Sequence, residues 1–280
     1  GQGATDSPFA WALISSFLIF IYNKRAHGCY FEDPTGEISW RRTIDIFVDD
    51  SYLYHLIALG LGASALMTII THDISSWAKI LWTSGGAVNY TKTFYTMLIW
   101  RFKDNGTPYL TKATDLPTNS VEITNPGEPE TSRLVKRKCV THAEKTLGVF
   151  KAADLSQTGE YQHLIRKTTR FAKALISCPL NQVHSWLAYN TVYIPSVTYL
   201  FPITALDEKQ CGKLQKLLKP VLLQKLGLPP TLPNGVVYGN QYFGGICILQ
   251  LFAEQGMAQP FIFMRHPNAQ TPIGQQTIYL

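Results

Sequence analysis

Two adjacent carboxylates, Asp49 and Asp50, interrupt an apolar stretch of the sequence, with residues 46–48 before them and residues 52–54 after them. Two neighbouring carboxylates cannot both be buried unless a cation offsets their charge. Mg²⁺ binds through one or two carboxylates together with substrate phosphates, and a pair of such ions about 3.5–4 Å apart holds the attacking and leaving oxygens in phosphoryl transfer. The pair therefore favours a divalent-metal site, and an exposed polar turn is the alternative.

The flanking sequence predicts the elements that position this pair. Residues 43–47 have strand character and residues 51–57 resume it, which predicts a hairpin with both carboxylates at its tip. Residues 7–22 begin with a Ser-Pro pair typical of a helix start and are apolar almost all round, so we expect a buried helix. A second helix is predicted over residues 64–82.

The remaining sequence changes from mixed to helical character. Residues 93–102 predict a strand, and residues 114–131, dense in Pro, Thr, Asn, Glu and Gly, predict an exposed loop or insertion. Further strands are predicted at 133–140 and 146–150, and helices at 159–176, 180–190 and 207–226. This order predicts the α+β class, an α+β domain followed by a small all-α domain.

Basic side chains concentrate in the helical part. Residues 133–225 carry fifteen basic and five acidic side chains, whereas residues 1–132 carry nine and thirteen. Four of the basic residues follow one another at helical spacing: Arg166, Lys167, Arg170 and Lys173. Three more repeat that spacing: Lys209, Lys213 and Lys216. Such faces can follow a phosphate backbone, and a solvated helix face is the alternative.

Composition excludes several classes of protein. The chain has 280 residues, 46% of them hydrophobic and 16% charged, with a net charge of +6, which excludes wholesale disorder, collagen and coiled coil. Its five cysteines are widely spaced and form no Cys-x-x-Cys pair, which argues against a disulfide scaffold and a zinc finger. A reducing compartment follows, the nucleus or the cytoplasm.

Two uncharged segments bear on the membrane. Residues 8–22 are shorter than the roughly 20 residues that a spanning helix needs. Residues 51–72 contain His55, Gly60 and Gly62, and a strand leading into a buried helix explains them equally well. We therefore expect no membrane partner, and a membrane-associated protein built around these segments stays an alternative.

Segments spread over residues 1–250 resemble, in the same order, the motifs of reverse transcriptases, the RNA-directed DNA polymerases of retroelements, particularly those of the non-LTR (long-interspersed) type. A Gln-Gly loop with Ser7-Pro8 and, after an apolar helix, Phe47-Val48-Asp49-Asp50 resembles the polymerase palm. The further matches are Ser84-Gly85-Gly86 with Asn89 and Lys92-Thr93 for the next palm motif, residues 145–149 for the primer-grip hairpin, the basic helices from about Ala152 for the thumb, and Gly244-Gly245-Ile246 for a signature after it.

The resemblance implies a partial palm, an antiparallel sheet with packed helices, over residues 1–150, a helical thumb over 151–230 and a C-terminal tail or connection over 231–280. It also implies roles for individual residues. These are Asp49 and Asp50 as catalytic metal ligands, Gln2, Gly3, Phe47 and Lys92 around template and nucleotide, Leu147, Gly148 and Val149 as primer grip, and Arg166, Lys167, Arg170 and Lys173 on the nucleic-acid backbone.

The function implied is that of a fragment of an RNA-directed DNA polymerase, which uses two Mg²⁺ (or Mn²⁺) ions to transfer nucleotides onto a primer 3′-hydroxyl. Its partners would be an RNA template, a DNA primer and deoxynucleoside triphosphates. In this family another catalytic aspartate lies upstream of the Gln-Gly loop, where this chain begins, and Asp45 cannot replace it because it shares a strand with the pair. We therefore expect the isolated chain to be inactive. The alternative is a non-catalytic, nucleic-acid-binding remnant of a retroelement.

Overall fold

The fold was derived from a computed structural model, which describes residues 7–32, 35–36, 39–47, 50–57, 62–116 and 120–268. It belongs to the α+β class, as the sequence predicts. The chain divides into two compact units, one extending to Val140 and the other beginning at Thr141.

The first unit begins with a helix, two hairpins and a second helix. Their bounds are α1 Ser7–Asn23, β1 Cys29–Glu32, β2 Ser39–Arg42, β3 Ile44–Phe47, β4 Asp50–Leu53 and α2 Ala63–Thr83. β1 pairs antiparallel with β2, and β3 pairs antiparallel with β4. The helix–hairpin–helix order around the Asp-Asp pair is therefore confirmed.

The rest of the first unit is built of short strands. They are β5 Phe94–Tyr95, β6 Trp100–Phe102, β7 Pro108–Leu110, β8 Ser120–Asn125 and β9 Glu128–Arg137. β9 lies between β5, which runs parallel to it, and β8, which runs antiparallel, while β6 and β7 form a separate hairpin. The single strand predicted over residues 93–102 is therefore wrong, because β5 and β6 belong to different sheets.

The loop or insertion predicted over residues 114–131 is also corrected. Most of it forms β8 and the start of β9, where Val121 and Ile123 are buried and Val121 pairs with the buried Val135. Alternate positions carry Ser, Glu and Thr, which face outward, so the composition looks like that of a loop although one face of the strand is core.

Helix α2 contributes to both apolar cores of the first unit. Ile70 and Ile74 pack with the three-stranded sheet, whereas Trp77 and Ile80 pack with α1 and β3. The β3–β4 hairpin is attached at this junction, because Ile44 is buried in the second of these cores and Leu53 touches both.

The expectation that α1 is buried all round is wrong. Leu18 and Tyr22 are buried against α2, but Leu13 is 75% exposed. The other exposed apolar side chains of α1 are Phe9, Ile14, Phe17 and Phe20. An apolar helix needs a neighbour on each side to be buried all round, and within the described residues α1 has neighbours on one side.

The second unit is a hairpin followed by packed helices. Its elements are β10 Glu144–Thr146, β11 Val149–Lys151, α3 Thr158–Ser177, α4 Gln182–Ala188, a π-helical turn Tyr189–Tyr193, α5 Ile194–Thr198, α6 Glu208–Lys225, α7 Asn234–Tyr238 and α8 Leu251–Asn268. The π-helical turn precedes Pro195, whose missing N–H and ring disfavour a regular α-helix there.

The predicted domain boundaries are corrected in two places. The β10–β11 hairpin belongs with the helices, because Val149 lies in their core and β11 packs on α3, so the division falls at residue 140 instead of 150. The predicted tail over 231–280 is part of the helical unit as far as it is described, since Val237, Ile248 and Leu251 are buried in the same core.

The helices of the described residues include none that is both long and apolar enough to cross a membrane.

Candidate functional site

The β3–β4 hairpin brings Phe47 and Asp50 opposite each other at its end. Their backbones pair in register, and two residues of the sequence, Val48 and Asp49, separate the strands. Asp49 lies outside the described residues, as do Gln2 and Gly3. The Asp50 side chain is exposed, so its oxygens are accessible to a cation.

Interactions at the base hold this hairpin. The Tyr54 N–H donates to the Thr43 carbonyl at 2.9 Å, and the Tyr54 hydroxyl donates to Asp45 at 2.8 Å. Arg42 pairs with the same carboxylate. Burial, and then the hydrogen bond to Asp45, raises the pKa of Tyr54 to about 12. Asp45 is thus engaged by Arg42 and Tyr54.

Lys92 lies in an exposed turn between α2 and β5. Its N–H donates to the Asn89 carbonyl at 3.1 Å, so the backbone of this turn is closed on itself. Among the described residues no contact of the Lys92 side chain is seen. A role of Lys92 near the triphosphate therefore stays a prediction.

Leu147 and Gly148 form the turn of the β10–β11 hairpin. Their φ angles, 50° and 87°, are both positive, as the common two-residue hairpin turn requires. Residues with a side chain rarely adopt a positive φ, so Leu147 is unusual at this position. The Tyr199 hydroxyl donates to the Leu147 carbonyl at 3.1 Å, and Val149 is buried among the helices. The turn is therefore held from both sides, with Leu147 and Gly148 exposed.

Glu160 fixes the second strand of this hairpin from within the core. Its side chain is fully buried, and one carboxylate oxygen accepts the Phe150 N–H at 2.5 Å, while the other oxygen has no hydrogen-bond partner among the residues that the structure describes. Burial raises the pKa of Glu160, against the opposing effects of the Phe150 N–H and the charges of Lys167 and Lys145.

The basic side chains of α3 differ in how exposed they are to solvent. Arg166, Arg170 and Lys173 are exposed, but Lys167 is half-buried and its Nζ donates to the Ser196 carbonyl at 2.7 Å. Lys167 thus joins α3 to α5, and three cations remain on the open face. On α6, Lys209, Lys213 and Lys216 are exposed.

His163 shows that the hairpin and α3 share one positive region. The Phe150 and His163 rings lie 5.0 Å apart between centroids. Burial lowers the pKa of His163, and four cations lower it further: Lys167, Arg166, Lys145 and Arg170. Lys145 comes from β10 and the other three from α3, so cations of both elements lie near this imidazole.

A polar cluster in the first unit was missed by sequence reasoning. Asp73 is fully buried on α2, and His27, His55 and His72 surround it. Burial raises the pKa of Asp73, but its interactions with the three histidines outweigh that effect and hold it well below its usual range. The one local signal is the His72-Asp73 pair within an apolar helix.

Comparison with protein families and with curated proteins gave no match: no family model and no curated protein is similar to this chain.

Proposed function

We propose that the chain is the palm and thumb part of an RNA-directed DNA polymerase, and that its second unit binds the primer–template through the β10–β11 hairpin and the exposed cations of α3. The observation that carries this proposal is that the β10–β11 hairpin packs on α3, where the Phe150 and His163 rings lie 5.0 Å apart, and that α3 exposes Arg166 and Arg170 after His163. An exposed apolar Leu147 on the hairpin, together with such cations on α3, suits a strand whose phosphates and sugars are bound at once.

The first unit supports the polymerase part of the proposal. The β3–β4 hairpin follows one helix, precedes another and carries the Asp-Asp pair at its end, with Asp50 exposed. Carboxylate oxygens are the ligands that Mg²⁺ prefers, so Asp50 and its neighbour Asp49 are suited to hold it. Bound Mg²⁺ would offset the charge that develops on the transferred phosphoryl group.

The binding test is fluorescence anisotropy with a labelled DNA primer annealed to an RNA template, titrated with the chain at several salt concentrations. Arg166→Glu/Arg170→Glu should weaken binding about tenfold or more and reduce the magnitude of the salt slope by about 2, since each phosphate contact contributes close to one. The matched control is Lys79→Glu/Lys103→Glu, the same charge change at exposed cations of the first unit.

An equal loss in both double variants would contradict the proposal, because net charge alone would then explain binding. The Arg166→Glu/Arg170→Glu variant should keep the circular dichroism of the wild type, since both side chains are exposed and neither lies in the core.

The alternative, a non-catalytic nucleic-acid-binding remnant, predicts a different response to nucleotide. A polymerase site should bind the primer–template more tightly when Mg²⁺ and the complementary deoxynucleoside triphosphate are added, and Asp49→Asn/Asp50→Asn should abolish that gain without changing basal binding. If the affinity for primer–template is the same with and without nucleotide, and the same in the wild type and the Asp49→Asn/Asp50→Asn variant, the remnant is favoured.

A further inference from the structure

The buried carboxylate of Asp73 gathers imidazoles from three separate segments. His27 follows α1, His55 follows β4, and His72 is the neighbour of Asp73 on α2. Residues 46 positions apart in the sequence thus meet at one group, and only tertiary folding brings them together.

The donor atoms surround both oxygens of the carboxylate. Nδ1 of His27 and Nδ1 of His72 each lie 2.9 Å from the same oxygen, Oδ1. The backbone N–H of His27 donates to Oδ2 at 3.0 Å. One ligand atom from each of His27, His72 and Asp73 falls within 4.8 Å of the others.

His55 adds an independent indication that this cluster is a binding site. Its side chain is only 10% exposed, and Nε2 lies 3.3 Å from Oδ2 of Asp73. That nitrogen is buried without forming an aligned hydrogen bond, although a buried polar atom normally has one. It is therefore a nine-tenths buried polar atom directed at the Asp73 carboxylate without an aligned partner among the described residues.

The charge of the cluster also points to a cation. Burying a carboxylate is costly unless a positive charge accompanies it. Among the described residues, histidines alone form ion pairs with Asp73, and neutral imidazoles offer hydrogen bonds without charge.

We propose that His27, His72 and Asp73 bind a transition-metal ion of the Zn²⁺ class, with a water as the fourth ligand, while His55 holds the other oxygen of the Asp73 carboxylate. Two imidazole nitrogens, one carboxylate oxygen and a water make a four-coordinate set that Zn²⁺ accepts, whereas Mg²⁺ prefers oxygen ligands, so this site is distinct from Asp49 and Asp50. The proposal does not depend on the polymerase function.

Binding requires a small rearrangement. The bonds of a tetrahedral Zn²⁺ site, roughly 2.0–2.2 Å long, place ligand atoms about 3.3 Å apart, whereas each Nδ1 now lies 2.9 Å from Oδ1, so both imidazoles must move slightly away from that oxygen to admit the ion. The His27 and His72 side chains are 47% and 53% exposed, so they can rotate toward the ion and leave it a route from solvent. Each of these imidazoles moves its proton to Nε2 and offers Nδ1 to the metal.

A bound ion would join the segment after α1 to helix α2, and His55 contacts the same carboxylate from the segment after β4. The cluster therefore ties the base of the β3–β4 hairpin to the helix on which it packs. Because only the folded first unit assembles the three protein ligands, the metal should raise the melting temperature of that unit.

The test is titration of the metal-free chain with Co²⁺, followed by displacement with Zn²⁺. We expect one equivalent of Co²⁺ with the visible absorption of a tetrahedral ion, without the intense charge-transfer band that cysteine ligands would give. His27→Ala and His72→Ala should each weaken binding at least tenfold, and the double variant should lose the band. Both side chains are half-exposed, so these variants should fold.

The matched control is His142→Ala, since His142 is an exposed histidine in the second unit whose Nε2 pairs with Glu144 at 2.9 Å. It should leave Co²⁺ binding unchanged. The proposal is overturned if the folded wild-type chain gives no tetrahedral Co²⁺ spectrum at equimolar metal, or if the band survives in the His27→Ala/His72→Ala double variant. In either case the cluster is a hydrogen-bonded network that binds no metal.

Discussion

Glu160 and Lys167 lie on α3, but they form contacts inside the second unit and are not part of the exposed basic face. Glu160 is buried and accepts the Phe150 N–H, while Lys167 donates to the Ser196 carbonyl. Burial lowers the pKa of Lys167, and nearby Glu160 opposes that effect. Charged side chains are rarely buried without a partner, so their positions depend on the hairpin and on α5.

Replacing Glu160 with Gln should change how stability depends on pH. The folded-state pKa of Glu160 is raised above its ordinary value of 4.5, so its contribution to stability is complete below that pH and is lost as the pH rises through the folded pKa. Glu160→Gln keeps an acceptor for Phe150 and removes the charge. Urea unfolding at a series of pH values should show the variant gaining stability over the wild type as the pH rises from 4.5 to 8.

Glu208→Gln provides the comparison, because Glu208 is exposed at the start of α6. Its stability profile should run parallel to that of the wild type. If the stability difference between Glu160→Gln and the wild type stayed constant from pH 4.5 to 8, or moved in favour of the wild type, the raised pKa would be wrong.

At the scale of the elements, the close approach of β10 to α3 depends on a glycine at the start of that helix. A Cβ at Gly159 would lie only 2.2 Å from the Cβ of Ala143, just before β10. The hairpin that holds Leu147 therefore reaches its position on α3 only because position 159 has no side chain.

Gly159→Ala should therefore displace the hairpin, and Gly212→Ala is its matched control. Both substitutions lie in helices and gain about 1 kcal/mol of helix propensity, but a Cβ at Gly212 meets nothing within 4 Å. We expect Gly159→Ala to be less stable than Gly212→Ala by about 1–3 kcal/mol in urea unfolding, the usual cost of overpacking. Gly159→Ala should also bind the primer–template more weakly than Gly212→Ala. Equal free energies of unfolding for the two variants would contradict the prediction, because the hairpin could then move away from α3 with no loss of stability.

The exposed face of α1 is another property of an element that its own sequence does not reveal. Its apolar side chains continue around the helix, yet only those toward α2 and β3, such as Leu18 and Tyr22, are covered. Five large apolar side chains of α1 are exposed on one helix. Contiguous exposed apolar surfaces are uncommon on soluble proteins and mark places where another element or a partner packs.

At the scale of the whole molecule, the two units have separate apolar cores. The second unit has one large core to which α3, α6 and α8 contribute, whereas the first unit has two smaller cores on opposite parts of α2. Units with their own cores can unfold independently.

We therefore expect two thermal transitions. Five of the six tryptophans lie within residues 1–140, so fluorescence should follow the first unit, whereas far-ultraviolet circular dichroism should be dominated by the helices of the second. Zn²⁺ should raise only the transition seen by fluorescence. A single coincident transition in calorimetry and both spectra would show that the units unfold together.

The sequence by itself determined the elements whose patterns are local. The apolar periodicity of α2, the spacing within α3 and α6, and the strands on both sides of Asp49-Asp50 are carried by neighbouring residues, so helices and hairpin were predictable to within a few residues. The Leu147-Gly148 turn was not predicted from its own residues: the pattern predicted a strand over 146–150, and only the resemblance implied a hairpin there, whereas the structure places this turn between β10 and β11.

Tertiary structure alone decided which groups are buried and which meet. Val121 and Ile123 became core because α2 packs on one face of a polar-looking strand, Lys167 turned inward because Ser196 offered a carbonyl, and α1 kept an exposed face. The cluster of Asp73 with three histidines follows the same rule. Burial and long-range contacts depend on segments that are far apart in the chain, and a local pattern of residues does not specify which distant segment will pack against it.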